Sequence, residues 1–187
     1  MRRGVFPGSF NPVTVAHLTV AQAAVEQCAL ERVDLVISHQ PLGKAPQDLA
    51  GIEHRLAVLG HLAATRPWLG VTRSDDRLLV DLACGYDVLV LGADKLAQLL
   101  DPTWYGSVAA RDAAIARLPT VAVAPRAGSP LPDPAPPGLR LVVLDTDPAH
   151  LVVSASGVRD GRIEWVPGEV GELVRRSGAW PGLDRAR

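Results

Sequence analysis

Four compact runs constrain this chain more than anything else in it: "RVDLVIS" (32–38), "DVLVLG" (87–92), "LPTVAVAP" (118–125) and "LRLVVL" (139–144). They are apolar nearly throughout instead of at alternate positions, so strands built from them need cover on both faces. A shorter run, Arg2 to Phe6, and "LGVT" (69–72) also read as strands. Helical spacing separates them. It predicts a helix from Thr14 to about Leu30 through Leu18, Ala21, Val25 and Cys28. Further helices are predicted over 52–65, near 76–84, from "ADKLAQLL", after Ser154 and after Pro167. Strands alternating with helices give a parallel sheet wrapped on both sides, a doubly wound α/β fold of Rossmann-like architecture.

At 187 residues the chain has the length of one domain, expected to span 1–187. "HQPLGKAPQDLAG" (39–51) reads as a loop, and the Pro-rich stretch 126–138 is a surface loop too short to link domains. Residues 154–180 form a C-terminal helical segment. The net charge of −1 gives no broad electrostatic footprint for nucleic acid or anionic membrane. A phosphate-bearing partner must therefore be held by a local site. No apolar run reaches membrane-spanning length, and a cytoplasmic protein is the simplest expectation. Cys28 and Cys84 lack metal or redox spacing, so both are expected to fill core space. The sequence fixes no oligomeric state and is compatible with a homo-oligomer.

In doubly wound folds ligands sit at the carboxyl ends of the strands. "GVFPGSFNPVTVAHL" (4–18) occupies such an end. Gly8 and Pro12 bend the chain so that backbone N–H groups and the Ser9 hydroxyl can face a cleft. Thr14 and His17, three apart, share one face of the first helical turn. Far along the chain, "VSASGVRDG" (153–161) offers a second helix start. There Ser154 or Ser156 can cap the helix, and Arg159 is a fixed bidentate phosphate donor. Neither a G-x-G-x-x-G nor a Walker A motif is present.

Taken together, "GSFNPVTVAHL" and "SASGVR" resemble the T/H-x-x-H and S-x-[ST]-x-x-R motifs of the nucleotidyltransferase superfamily. Within it the chain resembles the nicotinamide/nicotinate mononucleotide adenylyltransferases, especially those of eukaryotic and archaeal type. "GKAP" with "EHR", "VLGADKLAQLLDPTW" and "WVPGEVGELVRRSGAW" carry the likeness to about residue 180. The resemblance implies a Rossmann-like nucleotidyltransferase fold. It also implies transfer of AMP from ATP to a pyridine mononucleotide, giving a dinucleotide and pyrophosphate.

Residue by residue, the resemblance implies that His17, Lys44 and Arg159 are catalytic. Gly8, Ser9, Phe10, Thr14, Ser154 and Ser156 would join His17 and Arg159 in holding ATP. Gly92, Asp94, Trp104 and Arg55 would serve the acceptor, with Trp104 stacked on the pyridine. Mg²⁺ would arrive on the ATP phosphates, with no protein metal site. The chain departs from the family pattern at Thr14, Ala16, Ser156 and Gly157. Ser74 stands where the eukaryotic forms carry a second stacking tryptophan. "VFPGSFNPVT" and "LLVDLA" (78–83) also resemble phosphopantetheine adenylyltransferases, the rival reading. A cytidylyltransferase and a non-catalytic nucleotide-binding protein are weaker alternatives.

Overall fold

The computed structural model describes residues 1–39 and 49–180, with Leu49 and Ala50 described by their backbone alone. Six strands run β1 (Arg3–Pro7), β2 (Arg32–Ser38), β3 (Leu69–Ser74), β4 (Val88–Gly92), β5 (Thr120–Ala124) and β6 (Leu141–Val143). All pair in parallel, in the order β3-β2-β1-β4-β5-β6. The helices are α1 (Val15–Gln27), α2 (Leu49–Ala63), α3 (Leu79–Leu82), α4 (Ala93–Leu100), α5 (Val108–Ile115), α6 (Ala155–Arg159) and α7 (Gly168–Arg176).

Side chains alternate across the pleat, and both sets are apolar, so the sheet has two cores. Phe6, Leu35, Ile37, Val88 and Val90 pack on one side with residues of α1, α2 and α7. Val5, Val36, Leu89, Leu91, Val121 and Val123 pack on the other with residues of α3, α4 and α5. That two-sided burial is what the continuous apolar runs required. The chain reverses its winding between β1 and β4, which creates a crevice at their carboxyl ends. Pro7 and Gly92 end those strands.

Buried Asp34 on β2 is held by Arg3 Nη2 at 2.5 Å and Arg32 Nε at 2.6 Å, with the Tyr86 hydroxyl donating at 3.2 Å. These hydrogen bonds keep its carboxyl below the ordinary carboxylate range against the opposing effect of burial.

Three details differ from the sequence expectation. Cys28 is buried, but Cys84 is exposed just beyond the short α3, so only one of the two thiols fills core. Helix α5 has no counterpart in the periodicity, because most of its residues face outward and leave no apolar stripe to read. The helix expected near 76–84 shrinks to the four residues of α3. Among the described residues no helix is long and apolar enough to cross a membrane.

Candidate active site

The crevice holds a cleft of about 360 Å³. It brings together Gly8, Ser9, Phe10, Thr14 and His17 from the first loop and helix. Gly92 and Asp94 enter from the β4–α4 junction, and Ser154, Ser156 and Arg159 from α6. Parts of the chain some 140 residues apart thus face one space.

The first loop is shaped by packing. Gly8 lies beneath the Phe10 ring, and a Cβ there would stand 2.6 Å from Phe10 Cζ. Phe10 itself has φ 42°, a region that costs a non-glycine residue roughly 1–3 kcal/mol. Burial to 2 % exposure and edge-on contacts with Phe6 at 5.7 Å and His17 at 5.0 Å hold it there.

Thr14 is the N-cap of α1 and closes a capping box with His17. The His17 N–H donates to Thr14 Oγ1 at 3.4 Å, and the Thr14 N–H donates to His17 Nδ1 at 2.9 Å. A backbone N–H can only donate, so Nδ1 must be the unprotonated ring nitrogen. In the neutral ring, Nε2 therefore carries the hydrogen. Burial, reinforced by the charge of Arg126 and opposed by Asp94, lowers the His17 pKa to about 4. The imidazole is neutral at pH 7 and is a hydrogen-bond donor through Nε2.

Helix α6 repeats the capping logic. Ser154 Oγ accepts the Gly157 N–H at 3.1 Å and lies 3.1 Å from Ser156 Oγ. Gly157 is required by a close approach: a Cβ would stand 2.3 Å from Trp165 Cζ3. The glycine thus lets Trp165 pack against the helix. Arg159 Nη1 donates to the Asn11 carbonyl at 2.5 Å, which ties the second motif to the first loop.

Arg55 does not line the cleft. It is buried to 4 % exposure on α2, with Nε on the Gly51 carbonyl and Nη1 on the Ser9 carbonyl, both at 2.8 Å. Trp104 lies on the short 3₁₀ turn Pro102–Trp104, 37 % exposed and outside the cleft lining. Ser74 ends β3, its hydroxyl donating to Asp76 at 2.7 Å. Lys44 lies outside the described residues.

The sequence reading passed over Asn11, Lys95, Arg126 and His150, which also line the cleft. Arg126 had a legible signal, since it directly follows the end of a predicted strand. His150 had none. Its buried Nδ1 has no hydrogen-bond partner among the described residues.

The sequence model of the cytidylyltransferase-like family matches residues 5–161. A probable nicotinate-nucleotide adenylyltransferase of Bordetella petrii is 31 % identical, covering 96 % of this chain and 98 % of its own. One of Bordetella avium is 35 % identical over 70 % of this chain and 67 % of its own. Both relatives are bacterial, whereas the sequence resemblance leaned on eukaryotic and archaeal forms. Two solved structures of Plasmodium falciparum nicotinic acid mononucleotide adenylyltransferase are similar in fold. The one complexed with NaAD has a TM-score of 0.66 at 11 % identity, and the one complexed with APC a TM-score of 0.69 at 12 %. Each alignment covers 96 % of this chain and 97 % of the solved one.

Proposed function

This chain belongs to the cytidylyltransferase-like family and, within it, to the group of its nicotinate-nucleotide adenylyltransferase relatives; from that premise we propose that it transfers the adenylyl group of ATP to nicotinate mononucleotide in NAD biosynthesis. The observation that carries the reading is the single cleft shared by Thr14 and His17 with Ser154, Ser156 and Arg159. The names of the full-length relatives supply the acceptor. Phosphopantetheine adenylylation draws no such support from them. The proposed compartment is the cytoplasm, where ATP is at hand.

In the proposed reaction an oxygen of the acceptor's phosphate forms a bond to the α-phosphorus of ATP. The bond from that phosphorus to the bridging oxygen breaks, and pyrophosphate leaves in line. The chain makes no covalent bond and must only align two anions and stabilise developing charge. His17 would donate from Nε2 to a phosphate oxygen. As a neutral donor it gives up no proton in the step. Ser154, Ser156 and Arg159 would hold the β- and γ-phosphates, and the backbone of Gly8 and Ser9 would border the triphosphate. Lys44 is proposed as a further phosphate contact. Gly92, Asp94 and Trp104 are proposed on the acceptor side. Arg55, expected on the acceptor side from the sequence, is proposed instead to serve the ATP side indirectly, through the Ser9 carbonyl it holds.

Among the described residues no group of three metal-ligating side chains is found, and Asp94 is the one carboxylate lining the cleft. That donor set fits Mg²⁺ carried on the substrate's phosphates, the usual mode for this ion, with Asp94 as the one cleft carboxylate that could assist in holding it. Mg²⁺ would supply neutralisation of the triphosphate charge.

The test is pyrophosphate release from Mg·ATP with nicotinate mononucleotide, nicotinamide mononucleotide and phosphopantetheine in separate reactions. Turnover is expected with the nicotinate form above the other two. No turnover with either pyridine mononucleotide would overturn the reading.

A further inference from the structure

Trp180, 169 residues from the first loop, is 4 % exposed and donates from Nε1 to Asn11 Oδ1 at 2.5 Å. A buried indole N–H needs a partner, and here the partner belongs to the proposed nucleotide cleft, which Asn11 lines. The indole N–H can only donate, so the amide end facing it must be the carbonyl oxygen. That fixes the flip of the Asn11 side chain by chemistry: the NH₂ group occupies the opposite arm of the amide. The main chain of the same residue is fixed as well, since its carbonyl accepts from Arg159 Nη1 at 2.5 Å. Asn11 is therefore gripped at both its side chain and its backbone, by two segments that close the fold late in the chain.

Such double restraint leaves little freedom to an amide that would otherwise flip between two near-equivalent orientations. Asn11 lines the cleft among phosphate-suited residues, and the NH₂ opposite its gripped carbonyl oxygen is the neutral donor it has left for a phosphate oxygen. Resting on the reading of the cleft as a nucleotide site, we propose that Asn11 is a further nucleotide-binding residue, donating from its amide to a phosphate, and that Trp180 is the positioning residue that sets its orientation. The C-terminal segment thereby becomes part of the nucleotide site without touching the nucleotide.

The experiment is calorimetric titration of the full chain with Mg·ATP in the absence of acceptor, alongside Tm and the acceptor KM. Trp180→Phe keeps an aromatic ring in the core but loses the N–H donor together with part of the indole's volume; Asn11→Ala removes the amide. Each is expected to raise the Kd for Mg·ATP about tenfold, the scale of a hydrogen bond to a charged group. Tm should fall by only a few degrees and the acceptor KM should stay within twofold. In an Asn11→Ala background, Trp180→Phe should add less than twofold, because its effect runs through Asn11. Trp180→Phe binding Mg·ATP as the wild type does, or retaining its full effect without Asn11, overturns the proposal. Should Trp180→Phe fail to fold, an unchanged Kd in Asn11→Ala overturns it instead. A wild-type protein that binds no Mg·ATP defeats the nucleotide reading itself, and this proposal with it.

Discussion

Arg55 reaches from the interior of α2 to the main-chain carbonyl of Ser9, 46 residues earlier, and donates to it at 2.8 Å. A guanidinium buried to 4 % exposure and spent on carbonyl oxygens acts as a strut under the first loop. Arg55→Ala is expected to lower stability by about 2–4 kcal/mol, because the part-buried Ser9 carbonyl loses this donor and a void replaces a side chain packed inside. Arg55→Lys should recover only part of this, since one ammonium cannot reproduce two fixed N–H directions. Urea denaturation measures both. The KM for ATP should rise in step as the loop loosens.

His17→Ala is expected to fold and to lose about 10²–10³ in kcat, the typical cost of removing one transition-state donor. Losing its half of the capping box should take a further ~1 kcal/mol from stability. His17→Gln also offers a side-chain donor but lacks the ring held against Phe10, and should recover only a fraction of the rate. Circular dichroism with steady-state kinetics separates the two effects. A wild-type kcat in His17→Ala would remove the histidine from the reaction.

Acid should weaken the fold through the same residue. The folded pKa of about 4 lies below the unfolded value near 6.5. Between these values the unfolded chain binds the proton and the folded one does not, so stability falls as pH drops from about 6.5 to 4. Above that window the residue contributes no pH dependence, and below it the loss is complete. The drop from pH 7 to pH 5 should be roughly 1–2 kcal/mol larger in the wild type than in His17→Gln. Asp34, whose carboxyl is held low by Arg3 and Arg32, loses its contribution only at more acid pH. Denaturant melts at pH 7, 6 and 5 therefore isolate the histidine.

Gly157→Ala, conservative on paper, should be harmful. The added methyl would enter the Trp165 ring, and relieving that clash must shift the indole or α6. Overpacking of this kind costs about 1–3 kcal/mol. Since α6 carries Ser154, Ser156 and Arg159, the Kd for Mg·ATP should rise as well. Gly157→Ala combined with Trp165→Leu, which makes room for the methyl, should restore much of the binding.

The sheet was legible because its evidence is local. Each of β2, β4 and β5 declares itself in five to seven residues, and burial on both faces follows from their composition. The two cleft motifs were legible because capping residues and phosphate-suited groups cluster in single turns. Arg55 was not, because the carbonyl that holds it inside is contributed by a distant loop, and an arginine on a helix carries no mark of burial. Trp180 and Asn11 are further apart still, and nothing near either residue announces the other. Helix α5 escaped for the opposite reason: it touches too little to need a pattern. Contacts that the chain makes with itself across the fold were the part beyond reach.

The box closed by Thr14 and His17 has an evolutionary corollary. Proteins commonly surrender stability where their chemistry needs an awkward residue. Here the backbone N–H that starts α1 also fixes which nitrogen of the imidazole bears hydrogen. Selection for a firmly begun helix and selection for a correctly protonated donor would therefore act on the same atom pair, in the same direction. Drift that frays the helix would also blunt the reaction, and each pressure would guard the other's requirement.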